Sequence, residues 1–111
     1  MSLEKTISDV EKITSEYRSV NPTGNDLVDM MRRLSANLAY LQSERARYHE
    51  QWQSVVFRLT ENGKAVNRAE NEAHVTVKEL YLLRRIMQGG YAELDVMRSQ
   101  LSWLKKEMDN V

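Results

Sequence analysis

Apolar residues recur along this chain in alternating steps of three and four. Counting by sevens from Leu3 (position a) and from Thr6 (position d) gives 32 positions, of which 26 are apolar, against a hydrophobic content of 41% overall. Such steps keep a stripe on one face of a helix, and a strict seven-residue repeat is the seam of helices packed at shallow angles. Strand-like alternation is nowhere sustained. The nearest candidate, Val75-Thr76-Val77, is too short to outweigh the helical period. The pattern therefore predicts an all-α chain.

Punctuation divides the stripe. Asn21-Pro22-Thr23-Gly24-Asn25 interrupts it, because Pro lacks an amide donor and restricts the residue before it. Thr23 with Asp26 three residues on suits a new helix N-terminus. Asn62-Gly63 suits a left-handed C-terminal cap. The expected architecture is a single domain over residues 1–111. It has a short helix over about 3–18, then a long, coiled-coil-like antiparallel hairpin with arms of about 25–61 and 65–109. The unbroken heptad phase across Asn62 leaves one continuous helix as the alternative. Gly89-Gly90 marks a kink, a break or a close backbone contact, since each glycine costs about 1 kcal/mol of helix propensity.

The seam of this hairpin is read as Leu34, Leu38, Leu41, Tyr48, Trp52, Val55, Leu80, Leu83, Met87, Leu94, Met97, Leu101 and Leu104. Further apolar residues lie off it: Val28, Met30, Tyr40, Val56, Phe57, Leu82, Ile86 and Trp103. Two helices need bury only one stripe each, so the wider surface points to more helices. A homo-oligomer, with a dimer favoured, forms a helical bundle and satisfies it. A different partner protein satisfies it as well. Arg45, at an a position, is expected to pack its stem and carry its head to Glu44 or a neighbouring helix.

Composition narrows the function. Sixteen Lys and Arg balance sixteen Asp and Glu, for a formal net charge of zero, so no overall basic surplus marks a dedicated nucleic-acid binder. With no Cys, disulfides, thiolate metal sites and cysteine nucleophiles are excluded. No apolar run nears the ~18–20 residues of a membrane span, and the charged start Met1-Ser2-Leu3-Glu4-Lys5 lacks a signal-peptide core. The protein is expected to be cytoplasmic and off the membrane.

Catalytic constellations are missing. Gly63-Lys64 lacks the rest of a phosphate-binding loop, and no nucleophile elbow occurs. Glu70 and His74 supply half a metal site on one helix face, but Glu-x-x-His precedes neither His49 nor His74. No enzyme and no cofactor are expected. Nucleic-acid binding is the alternative function, through Arg84, Arg85, Arg98, Lys105 and Lys106 beside Tyr81, Tyr91 and Trp103. Such a mixture contacts phosphates and stacks on unpaired bases. Arg84 and Arg85 have no acidic residue three or four positions before them.

The run Tyr91-Ala92-Glu93-Leu94-Asp95-Val96-Met97-Arg98-Ser99-Gln100-Leu101-Ser102-Trp103-Leu104-Lys105-Lys106-Glu107, with Glu44-Arg45-Ala46-Arg47-Tyr48 upstream, resembles small helical proteins encoded by bacteriophages and prophages. Arg98-Ser99 followed by Ser102 is its most distinctive part. Those proteins are mostly of unknown function, and some lie near genes for single-strand annealing or recombination proteins. The resemblance implies a phage or mobile-element origin, the host cytoplasm as location, and a role beside DNA recombination. It carries no catalytic residues. The leading expectation is a non-enzymatic helical protein that oligomerises or binds another macromolecule.

Overall fold

The computed structural model describes residues 2–109, so Val111, the last d position, lies outside the described residues. Four helices make up the fold: α1 (Leu3–Ser19), α2 (Gly24–Glu61), α3 (Val66–Thr76) and α4 (Lys78–Asp109). The described residues contain no strand.

Local chemistry sets each boundary. Ser2 caps α1, its hydroxyl accepting from the Lys5 amide at 3.1 Å. Pro22 ends the run, and Thr23 then opens α2 with a full capping box. The Asp26 amide donates to Thr23 Oγ1 at 3.2 Å, and the Thr23 amide donates to Asp26 Oδ2 at 3.0 Å. Two orphan amides are thereby satisfied at once. Hydrogen bonding to the Asp26 carboxyl, first from the Thr23 amide and then from the Thr23 hydroxyl, holds it below its ordinary range.

At the far end of α2 the chain reverses. Gly63 takes φ 92°, a left-handed conformation that costs side-chain-bearing residues and not glycine. Its amide bonds to the Thr60 carbonyl and the Lys64 amide to the Leu59 carbonyl, each at 3.1 Å. That pair of bonds is the Schellman closure of a helix C-terminus. The continuous-helix alternative is therefore excluded.

The arm expected over 65–109 is not one helix. It breaks at Val77, which has φ −112° and ψ 62°. The break falls on Val75-Thr76-Val77, where three β-branched side chains lose χ1 freedom together. Thr76 also bonds its hydroxyl to the Glu72 carbonyl at 3.0 Å. The offset exposes Thr76, the d residue, and buries Val77 in its place. An apolar residue thus fills the seam where the heptad supplied a polar one.

Beyond Val77, α4 runs without interruption through Gly89-Gly90. A Cβ on Gly90 would lie 2.6 Å from Leu38 Cδ2, whereas one on Gly89 would meet nothing within 4 Å. Gly90 is thus a point of close approach between α4 and α2.

Contacts place α3 and α4 alongside α2 in the opposite direction, from Trp52 against His74, through Leu38 against Gly90, to Gly24 near Leu101. The third layer comes from α1. Val10 and Ile13 pack into the same core as Leu27, Met30, Leu34, Leu83, Leu94 and Met97, with Ile86 half-buried against it. Met30 and Ile86, two of the surplus apolar residues, are therefore covered within one chain. The bundle is intramolecular, its core drawn from three helices of one chain. It measures 69 × 25 × 20 Å, with a radius of gyration of 18.9 Å, where a compact domain of this length has about 13 Å.

Burial is uneven along that length. Leu34, Leu38, Leu41, Leu80, Leu83, Met87, Leu94 and Met97 are sealed. Tyr48, Trp52 and Val55 toward the Gly63 turn, and Leu101 and Leu104 toward the other end, are only half-buried. Near the turn, α3 approaches α2 through the fully buried Ala69 and Ala73.

Candidate interaction surfaces

The long seam is mostly consumed inside the monomer, so the surfaces available for recognition lie elsewhere. Three regions stand out: the outward face of α4, the groove between α1 and α4, and the groove between α2 and α4 on the side away from α1.

A second heptad row runs down the outside of α3 and α4. Val75, Leu82, Gly89, Val96 and Trp103 are each seven residues apart, and all are exposed. Val75 is 78%, Val96 53% and Trp103 62% accessible. Interleaved with them at three- and four-residue steps are Arg85, Ala92, Ser99 and Lys106, all exposed as well. This row has the spacing of a packing seam but no helix over it. The chemical character was legible in the sequence at Leu82 and Trp103. Its regularity was hidden because the a/d stripe dominates the pattern.

The groove between α1 and α4 has a volume of about 520 Å³, with Gly89 and Gly90 beside Val10 and Ile86. Its rim is closed by an ion pair from Arg18 to Glu93 at 2.7 Å. Deeper along the same interface, the Tyr17 hydroxyl donates to Gln100 Oε1. Burial, and then the nearby Glu93 carboxylate, raise the Tyr17 pKa above its ordinary range. Arg85 lines this groove with Glu11 and Glu93, so its charge faces carboxylates.

The third groove is different. Arg45, Arg84, Met87, Gln88 and Tyr91 enclose about 330 Å³, with no acidic residue in the lining. The Tyr91 hydroxyl donates to Gln42 Oε1 at 3.1 Å across the helix pair. Of the two destinations the sequence offers the Arg45 head, Glu44 or a neighbouring helix, Glu44 is not reached, and Arg45 lines the groove with α4. Glu44 is held by Arg47, one turn on, and that contact raises the Arg47 pKa. Arg45 stays half-buried and makes no ion pair among the described residues.

The five cations proposed for nucleic-acid contact are not gathered into one patch. Arg84, Arg98 and Lys105 share a face with Tyr91 at seven-residue spacing, while Arg85 and Lys106 lie one position around the helix. Arg98 also pairs with Asp95 at 3.3 Å. The sequence pattern placed Arg45 in the seam and not with the α4 cations, although it shares a signal with Arg84. Like Arg84, it has no acidic residue three or four positions away on either side.

His49 and His74 flank Trp52. The His49 ring stacks on it at 5.6 Å, and His74 meets it from α3 at 5.3 Å. His74 thus joins α3 to α2 while His49 backs Trp52 from within α2, and among the described residues no three acidic or histidine groups converge as metal ligands. Trp52 Nε1 and Asn37 Oδ1 are buried without a hydrogen-bond partner. Among the described residues no helix is long and apolar enough to cross a membrane. Comparison with protein-family models, curated proteins and solved structures finds no match.

Proposed function

We propose that this protein is a non-enzymatic helical interaction module that works as a homodimer, joined along the outward face of α4. The observation that carries the reading is the exposed row of Leu82, Gly89, Val96 and Trp103, interleaved with Arg85, Ala92, Ser99 and Lys106. The row is self-complementary in an antiparallel sense. A twofold axis at Leu94 sets Ala92 against Val96 of a second copy, Gly89 against Ser99, and Arg85 against Trp103. Small residues at the centre let two helices approach closely. At each end a guanidinium meets an indole, worth about 0.5–2 kcal/mol as a cation–π contact. The Lys106 stem covers Leu82. Residues 82–106 give a contact about 37 Å long at about 1.5 Å per residue.

The non-enzymatic part rests on how the carboxylates are used. Asp26 completes a cap, while Glu44, Glu72, Glu93 and Asp29 hold cations. With the phage resemblance, the same proposal places the dimer in a host cytoplasm.

Light scattering behind a sizing column, over a concentration series, tests it. The expected mass is twice the 13.0 kDa of the chain. Val96→Glu buries two carboxylates at the centre of the row and should return the monomer with its helical circular dichroism intact. A wild-type monomer at every concentration, or a Val96→Glu protein that remains dimeric, rejects the reading.

A further inference from the structure

The groove between α2 and α4 holds a charge arrangement that the bundle does not use. Two guanidinium groups, from Arg45 on α2 and Arg84 on α4, line one cavity of about 330 Å³ with Gln88, Tyr91 and Met87. Neither arginine is among the ion pairs of the described residues, which engage Arg18, Arg33, Arg47 and Arg98. Neither has an acidic residue three or four positions away on its own helix, the Glu44 next to Arg45 is engaged by Arg47, and the lining has no acidic residue. Arg45 is moreover half-buried at a seam position. A partly buried cation without a counter-charge is unfavourable until an anion arrives. Among the described residues no carboxylate supplies the counter-charge.

We infer that this groove is a phosphate site, and that the phosphate belongs to the backbone of a single-stranded nucleic acid. Guanidinium forks match the oxygens of a phosphate in bidentate geometry, which a single lysine does not. The Gln88 amide adds a donor at the rim. Two observations select a strand over an isolated phosphate. Arg98 and Lys105 continue from Arg84 and Tyr91 at seven-residue steps, about 10 Å each, so the cationic line extends along α4 beyond the cavity. Tyr91 is 41% exposed, and its hydroxyl is tied to Gln42, leaving a fixed ring beside the arginines on which an unpaired base can stack. The site lies on a different face of α4 from the dimer row and does not rest on dimerisation.

Fluorescence anisotropy with a labelled oligothymidylate at low salt tests the site, with Arg84→Gln, Arg45→Gln and Arg32→Gln compared at equal net charge. Arg84→Gln and Arg45→Gln should each weaken binding by about tenfold or more, as expected for loss of a charge-assisted contact. Each should also lower the slope of log affinity against log salt by about 0.7. Arg32→Gln, which removes the same charge from an exposed position of α2 outside both the groove and the dimer row, should change affinity less than twofold. Circular dichroism checks the fold of Arg45→Gln, and the exposed Arg84→Gln carries the test if that variant unfolds. Flat anisotropy at low salt overturns the inference. So does an equal loss in all three variants, which means diffuse attraction without a site. Displacement of the oligonucleotide by equimolar inorganic phosphate assigns the site to a small phosphate and overturns the strand. Tighter binding of labelled poly-glutamate overturns it in favour of an acidic protein segment.

Discussion

Adjacent glycines in α4 should respond oppositely to the same substitution. Gly89 and Gly90 both lie in regular helix, so an alanine at either adds about 1 kcal/mol of helix propensity. At Gly89 nothing lies within 4 Å of the new methyl, and the gain is kept. At about 2.1 cal/mol/K of unfolding entropy per residue, that gain raises Tm by about 4 °C. At Gly90 the methyl would fall 2.6 Å from Leu38 Cδ2 and 3.5 Å from two further Leu38 carbons. Leu38 is sealed at 1% exposure, so it cannot swing into solvent and must displace its neighbours. Overpacking of this kind costs about 1–3 kcal/mol. Gly90→Ala is therefore neutral to about 2 kcal/mol destabilising, and the two variants separate by about 1–3 kcal/mol. Urea denaturation reads this as opposite shifts in midpoint at constant m. Both variants are best made in the Val96→Glu background, where unfolding is expected to be unimolecular and a methyl at Gly89 meets no second copy. Equal stabilisation by both would refute the argument, because Leu38 would then yield without cost. A Gly89→Ala protein no more stable than its parent would refute the open-helix half of it.

Two further predictions concern pH. The depressed Asp26 pKa stabilises the fold in full above the ordinary carboxylate value of 3.8, and this contribution fades as pH falls through the folded value. Asp26→Asn should accordingly be less stable than wild type near neutral pH, with the difference closing in acid when midpoints are followed by circular dichroism. A gap that persists at low pH would mean the carboxylate charge is irrelevant to the cap. Tyr17 works at the other end of the scale, since a raised folded pKa contributes stability that is whole below 10.0 and lost as pH climbs through the folded value. Tyr17→Phe should lose about 1 kcal/mol with the Gln100 hydrogen bond and flatten the alkaline limb, and an unchanged limb would place that sensitivity elsewhere.

Periodicity identifies an apolar face but not what covers it, and that divides the legible from the illegible here. The Pro22 break, the Thr23–Asp26 cap and the Gly63 reversal are local events, each written in a few adjacent residues. The docking of α1 is not local. Met30 and Ile86 read as surface left over from a two-helix seam, and only the third helix explains their burial. The break at Val77 was visible as a β-branched run, yet the heptad continues through it on paper. What the heptad could not express was that exchanging Thr76 for Val77 improves the seam. Among the candidate sites, basic pairs on α4 were easy to see as residues, whereas convergence of Arg45 with Arg84 requires knowing which turns of α2 and α4 face each other.

The unequal girth of the bundle divides the molecule into two zones of local stability that share one helix. The first half of α2 is enclosed by α1 and α4. The second half, past Arg45, has only α3 and the first turns of α4 for company, and Tyr48, Trp52, Val55 and Leu59 keep part of their surface in water. The free energy of local opening follows the apolar contact that opening breaks. Residues 46–76 therefore form a separable cooperative unit, whose amide protons exchange by unzipping from the Gly63 turn. Those of the three-helix end, around Leu34, Leu38, Leu83 and Leu94, wait for global unfolding. The fold is a fork with a tightly bound handle, and its tines part long before the handle does.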